Sequence, residues 1–211
     1  MKNFVAYFKH AFALTVVMLV LCAVAFPAVL AGLGQVIFPH QAKGNVIEVN
    51  GQVVGSELVG QQFTDDKYFR GRVSSVNYNT YTEEEAADGT YGGVASGSFN
   101  YGATNPDLIA RVEADVKAFK ERYKDLTGQE LTQEIPADLL TASGSGLDPH
   151  ISPASAEIQV PIVAACSGLS EDRVREIVAE NTEHKVLGIF GEERVNVLKC
   201  NVAIAQETGA L

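Results

Sequence analysis

The run AFALTVVMLVLCAVAFPAVLAGLGQVIF, residues 11–38, decides the architecture of this chain. It holds no charged residue and is dominated by Val, Leu, Ala and Phe, so at about 1.5 Å per helical residue it crosses a hydrocarbon core of about 30 Å. The reading is a transmembrane helix over about residues 11–36. A cleaved signal peptide would carry an apolar region of only about 7–15 residues and a small-x-small site in a polar context, and this run is longer and lacks such a site. Cys22 does not open a lipoprotein reading, because bulky Leu21 stands where a small residue is needed. Pro27 within the span predicts a kink, and Gly32 and Gly34 near its far end predict a close-packing face for neighbouring helices.

The flanks set orientation. Lys2 and Lys9 precede the span and only Lys43 follows closely, which favours a cytoplasmic N-terminus and an exported body. Residues 1–44 carry three Lys and no acid, leaving 13 basic and 26 acidic side chains in residues 45–211, a net of −13. Such a domain repels nucleic acid and anionic headgroups; it gathers cations but has no geometry to select among them. Its length suits one domain that needs neither disulfide nor metal to close a core. Cys166 and Cys200 read as two buried reduced thiols, with a bridge open to them if the domain is exported.

Residues 45–63 read as a β-meander. Val46, Ile47 and Val49 lead into Asn50-Gly51, a strong hairpin signal; Gln52-Val53-Val54 returns, and Gly55-Ser56 turns the chain into Glu57-Leu58-Val59. In Tyr68-Phe69-Arg70-Gly71-Arg72 the aromatics are expected to anchor a sheet edge, with the two Arg facing out or pairing with acidic loops. Ser74 to Thr104 interleaves Tyr78, Tyr81, Tyr91, Phe99 and Tyr101 with glycines around Glu83-Glu84-Glu85. It reads as a long exposed loop that either lies on something or is an insertion without a role.

Asn105-Pro106 opens a helix with Leu108, Ile109, Val112, Val116, Phe119 and Tyr123 on one stripe. After Gly128, the apolar run Ile135 to Leu140 delivers the chain to Thr141-Ala142-Ser143-Gly144-Ser145-Gly146-Leu147-Asp148-Pro149-His150-Ile151-Ser152-Pro153. In that loop a permissive turn runs into a proline-stiffened polar one, and Ser152 with Pro153 starts a helix reaching about Cys166, broken or kinked at Pro161 and stopped by Gly168. Ser170 caps the next helix, and Val186 to Phe190 is expected to pair with Arg194 to Ala203 as a C-terminal β-hairpin. The fold class is α+β: a single N-terminal transmembrane helix in an anchor, residues 1–44, then one mixed soluble domain, residues 45–211.

The candidate site residues are Ser143, Gly144, Ser145, Gly146, Asp148, Pro149, His150 and Ser152. Three readings compete for them. They form a rigid loop whose polar side chains satisfy its own backbone, a partner-docking loop whose glycines admit a partner's backbone, or a hydrolase site using Ser143 or Ser145 with His150. Residues adjacent in sequence seldom adopt triad geometry, which counts against the last. No G-x-x-x-x-G-K-[ST] is present, Asp125-Leu126-Thr127-Gly128 lacks the lysine of the P-type phosphorylation motif, and Thr90-Tyr91-Gly92-Gly93 lies outside any apolar span, where it makes no potassium filter.

The 141–153 block resembles the C subunit of the Kdp potassium-transporting ATPase. So do Gln159-Val160-Pro161, Leu187-Gly188-Ile189-Phe190-Gly191-Glu192 with Arg194-Val195-Asn196-Val197-Leu198, Gly60-Gln61-Gln62-Phe63, Tyr68 to Arg72 and the Asn105-Pro106 helix start. The resemblance runs from the membrane helix to about Ala203; Val73 stands where the family usually shows proline, and the stretch around Tyr91 looks like an insertion. It implies a non-catalytic accessory subunit of a bacterial high-affinity potassium pump, single-pass in the plasma membrane. The subunit would be a catalytic chaperone that raises ATP affinity, beside a channel-like potassium-binding subunit, a P-type ATPase subunit, a small membrane subunit and membrane lipid. No cofactor is expected on this chain, ATP and potassium being handled by the complex. An exported body does not touch cytoplasmic ATP, so the effect on ATP affinity would pass through the membrane as a bias on a partner's conformation. A membrane-tethered extracytoplasmic serine hydrolase is the alternative from another class.

Overall fold

The computed structural model describes residues 2–90 and 92–211; Tyr91, one of the aromatics in the glycine-rich stretch, lies outside the described residues. Two compact units emerge, Met1–Val46 and Ile47–Leu211.

The first unit is helical. Helix α1 (Lys2–Leu19) runs through a π-helical turn, Val20–Ala25, into α2 (Phe26–Ile37), and a single turn, α3 (Pro39–Ala42), follows. Within it Tyr7–Ile37 is long and apolar enough to span a membrane. Its Leu, Val and Phe side chains are uncovered, which suits a lipid solvent. The irregularity expected at Pro27 takes the form of the π turn just before it. Pro27 lacks an N–H and its ring crowds the carbonyl four residues back, and a widened turn accommodates both.

A hairpin follows at the start of the second unit, β1 (Val46–Val49), whose first residue closes the first unit, and β2 (Gln52–Ser56). Asn50 and Gly51 both take left-handed φ, 53° and 78°, the requirement of a type I′ turn. The third strand expected of a meander does not form. Ser56 Oγ accepts the Leu58 N–H and its carbonyl accepts the Val59 N–H, so the chain turns there, and the Gly60 N–H goes to Leu147 O at 2.8 Å.

Phe69 is fully buried in the main core rather than at a sheet edge. Its segment has no strand partner and borrows buried amides instead. Asn201 accepts the Phe69 N–H at 2.8 Å and donates to the Phe69 carbonyl at 2.9 Å. Gln159 accepts the Arg70 N–H at 2.9 Å and donates to the Arg70 carbonyl at 3.2 Å.

The 74–104 stretch is not wholly loop. Thr82 and Glu85 form a reciprocal cap that opens α4 (Glu83–Asp88), placing the acidic triplet in a helical first turn, where the backbone dipole favours it. Helix α5 (Pro106–Thr127) runs from the Asn105 cap to Gly128 as expected, except that Ile109 is exposed. A short turn, α6 (Ala137–Leu140), then leads into the central loop.

The core lies between the helices that follow: α7 (Pro153–Glu157), α8 (Val160–Ser167) and α9 (Glu171–Glu180), with α10 (Val197–Glu207). Ser152 and Ser170 cap α7 and α9, Gly168 ends α8 at φ 80°, and the expected break before Pro161 separates α7 from α8. A small antiparallel sheet, in the order β3-β5-β4, joins β3 (His150–Ile151), β4 (Thr182–Glu183) and β5 (Arg194–Asn196), with His150 opposite Asn196 and Thr182 opposite Val195.

The expected C-terminal hairpin is corrected here. Asn196 ends β5, and its side-chain oxygen accepts the Lys199 N–H, starting α10. Val197, Cys200, Asn201, Ile204 and Ala205 then fall on one buried helical face, a 3.6-residue period inside what reads locally as a β-branched run. Cys200 is buried, and burial pushes its thiol up to about 12. Cys166, expected to be buried too, is exposed on α8; both thiols are free. The α+β class stands, with its β content in one hairpin and one short three-stranded sheet.

Candidate functional site

The loop from Thr141 to Pro153 turns its polar side chains onto its own backbone. Ser143, 3% exposed, accepts the Gly146 N–H on Oγ at 2.8 Å, and Ser145 Oγ accepts the Leu147 N–H at 3.1 Å. Asp148 Oδ1 accepts the His150 N–H at 3.0 Å. Its Oδ2 lies 3.1 Å from Arg72 Nη1, which fulfils the expected pairing of an arginine with an acidic loop. Pro149 offers its carbonyl to the Val197 N–H at 3.0 Å, tying the loop to the start of α10. Ser152 is held by Asp138, which accepts its N–H at 2.8 Å and its hydroxyl at 3.0 Å and also takes the Ser155 hydroxyl at 2.6 Å. Burial pushes the Asp138 carboxyl up, but these hydrogen bonds outweigh it and hold the group below the ordinary range.

The His150 imidazole sits between two carboxylates. Nδ1 is 3.8 Å from Asp148 Oδ1 and Nε2 is 3.7 Å from Glu183 Oε1. Burial dominates and lowers its pKa, with Glu183 opposing, Arg194 adding to the lowering and Asp148 opposing. Nε2 is buried and has no hydrogen-bond partner among the described residues. Neither Ser143 nor Ser145 reaches the ring; each spends its lone pairs on a backbone amide instead. The eight candidate residues therefore share one loop, but no nucleophile-to-base contact joins them.

A cradle from distant parts of the chain surrounds this loop. Gly97 N–H and Ser96 Oγ both donate to Ser145 O, at 2.8 and 3.0 Å, and Ser74 Oγ donates to Gly146 O at 2.6 Å. The stretch whose role was open thus lies against the loop, hydrogen-bonded to it through Ser74, Ser96 and Gly97.

Tyr78 is the residue sequence reasoning missed. It sits between Asn77 and Asn79, and all three take left-handed φ of 47–54°. Its hydroxyl donates to Arg72 O at 2.6 Å, and burial, with the Asp148 charge beside it, pushes the phenol up to about 12. A Cβ on Gly60 would meet Asp148 O at 2.5 Å and Tyr78 Cε1 at 2.6 Å. The Asn-Tyr-Asn triplet was the available signal, since asparagine tolerates that backbone region better than other non-glycine residues.

Of the two candidate glycines, only Gly146 is crowded. At φ +68°, its Cβ would meet Val76 Cγ2 at 2.8 Å and Gly97 O at 2.9 Å, so the close approach is made by the chain's own backbone. Gly144 has nothing within 4 Å and is open to solvent.

Beside the loop, an open hollow of about 290 Å³ holds Arg70 and Arg122 above an apolar floor that includes Phe119, Leu139 and Leu140. Asp66 Oδ1 lies 2.7 Å from both guanidinium groups. The whole arrangement is a stiff surface whose serine hydroxyls and carboxylates are paired, with His150 Nε2 left over, and it is suited to presenting one shape.

The family described as "KdpC: K+-transporting ATPase, c chain" matches residues 8–206. Among similar proteins, the Potassium-transporting ATPase KdpC subunit of Clostridioides difficile (strain 630) is 54% identical over 208 residues, covering 96% of this chain and 98% of its own. That of Clostridium kluyveri is 49% identical, covering 99% and 98%. That of Caldanaerobacter subterraneus subsp. tengcongensis is 42% identical, covering 94% of each.

Proposed function

Because the chain belongs to the KdpC family, the c chains of K+-transporting ATPases, we propose that it serves such a pump as a non-catalytic subunit that fastens the assembly and raises its affinity for ATP. The near-full-length match carries this reading, since a fold alone would not. The self-satisfied loop supports it, because a surface that spends its serines on its own backbone is built to be touched rather than to react. The partners are a channel-like potassium-binding subunit, a P-type ATPase subunit and a small membrane subunit, with lipid around the N-terminal helix. The excess of lysine before that helix supports a bacterial plasma-membrane subunit with residues 45–211 outside the cytoplasm.

From there the domain does not meet cytoplasmic ATP. The subunit instead binds more tightly to the form of the pump that holds nucleotide, and linkage tightens nucleotide in return. A tenfold gain takes about 1.4 kcal/mol of differential binding.

The test compares detergent-purified pump with and without this chain. The apparent KM for ATP is expected to rise about tenfold without it, within the usual range of such coupling, and to return on adding it back. An unchanged KM ends the ATP role. Asp148→Ala and His150→Ala should give folded chains that co-purify poorly with the other subunits, with overexpression partly restoring transport by mass action. Normal assembly with a thousandfold lower turnover would make the loop an active site instead.

A further inference from the structure

Between β4 and β5 the chain leaves the sheet and returns, and the tip of this excursion is apolar. Val186, Leu187, Ile189 and Phe190 are 63%, 84%, 76% and 63% exposed. The excursion is nonetheless ordered. Val186 N–H donates to Phe190 O at 2.8 Å, Phe190 N–H to Val186 O at 3.0 Å and Gly188 N–H to Lys185 O at 3.0 Å. Leu187 and Gly188 take φ of 55° and 74°, which folds the tip over. At its base Lys185 meets Glu192 at 3.1 Å and His184 meets Glu193 at 2.8 Å. A left-handed leucine is strained, and contiguous exposed apolar side chains on an ordered tip mark an interaction site. The domain maintains a shape that its own core does not use.

We propose that this tongue, residues 185–191, is a docking peg that seats in an apolar socket on another protein subunit of the K+-transporting ATPase. The proposal rests on the subunit reading above. Two observations choose a protein socket over lipid or a second copy of this chain. The first is hydrogen bonding at the tip. Leu187 N–H and the carbonyls of Leu187, Gly188 and Ile189 have no partner among the described residues. Hydrocarbon offers them none, whereas a socket with its own amides and carbonyls pairs them. The second is charge. Residues 45–211 carry a net −13, and the Glu192 and Glu193 side chains beside the peg are 88% and 49% exposed. Glu192 is paired with Lys185 and Glu193 meets His184, so the repulsion of anionic headgroups and of a second acidic domain comes from the balance of the whole domain.

The test uses the full-length chain in membranes that contain the whole ATPase. A photoactivatable benzoylphenylalanine replacing Leu187 should form an adduct with another ATPase subunit, identified by mass spectrometry. Leu187→Asp combined with Ile189→Asp should lower recovery of the other subunits with the tagged chain at least tenfold and leave its thermal transition unchanged. An adduct confined to lipid or to a second copy, no adduct at all, or undiminished recovery would overturn the proposal. The unsubstituted chain separates the two readings. If it recovers the ATPase subunits and the variant recovers them equally, the peg alone falls; if it recovers none, the subunit reading falls and the peg with it.

Discussion

Gly146 and Gly144, two residues apart, behave as opposites. An alanine at 146 must take φ +68° and also push aside Val76 and the Gly97 carbonyl. Backbone strain and overpacking together are expected to destabilise the chain by about 2–4 kcal/mol, read as a lowered denaturant midpoint. At 144, where nothing lies within 4 Å, alanine should change stability by less than about 0.5 kcal/mol. Equal effects would show that the loop is not held as described. His150 gives a pH dependence of definite sign. Burial holds its pKa below the usual value, so between that depressed value and about 6.5 the unfolded chain binds a proton that the folded one does not. Stability therefore rises with pH through this window and is lost on acidification. Urea midpoints measured from pH 7 down to 5 should fall more steeply for the native chain than for His150→Gln.

The elements legible in the sequence were those whose cause is local. Asn50-Gly51 carries its own turn, Ser152 and Ser170 each cap the helix that follows them, and the apolar stripe of α5 repeats within a few residues. What stayed hidden acts across the chain. The Tyr68 to Arg72 segment looked like a sheet edge because its real partners, Gln159 and Asn201, lie 89 and 132 residues on from the groups they bind. Val195 and Val197 suggested one continuing strand, and only the cap at Asn196 and the buried face beyond it reveal a helix. The amide clamp gives a further test. Asn201→Leu keeps the branched shape but strands the Phe69 N–H and carbonyl in the core, and should cost about 2–4 kcal/mol by chemical denaturation. A near-neutral outcome would mean that the segment satisfies its backbone in another way. Within the candidate site the same division holds. The Ser, Asp and His of the loop could be read from its composition, whereas Tyr78, Gly60 and Ser96 could not, because each meets the loop only in space.

For the whole molecule, the flanking lysines and the acidic balance of residues 45–211 make sidedness the most informative measurement. A single cysteine placed at Glu84, in a background lacking Cys22, Cys166 and Cys200, should react with a membrane-impermeant maleimide in intact cells. Helix α4 is exposed, so protection until lysis would reverse the orientation rather than report burial. The small sheet carries a consequence for how the molecule is made. Its middle strand, β5, is the last strand in sequence, and α10 directly after it supplies Asn201 to the Phe69 clamp and the Val197 amide to Pro149. Neither the sheet nor the clamp closes until Arg194 to Asn201 have been synthesised. A ribosome halted before Arg194 leaves β3 and β4 without the strand that joins them, and the nascent domain stays unlatched until that strand is made. That dependence makes the codons for Arg194 to Asn201 the ones that commit the domain to its shape.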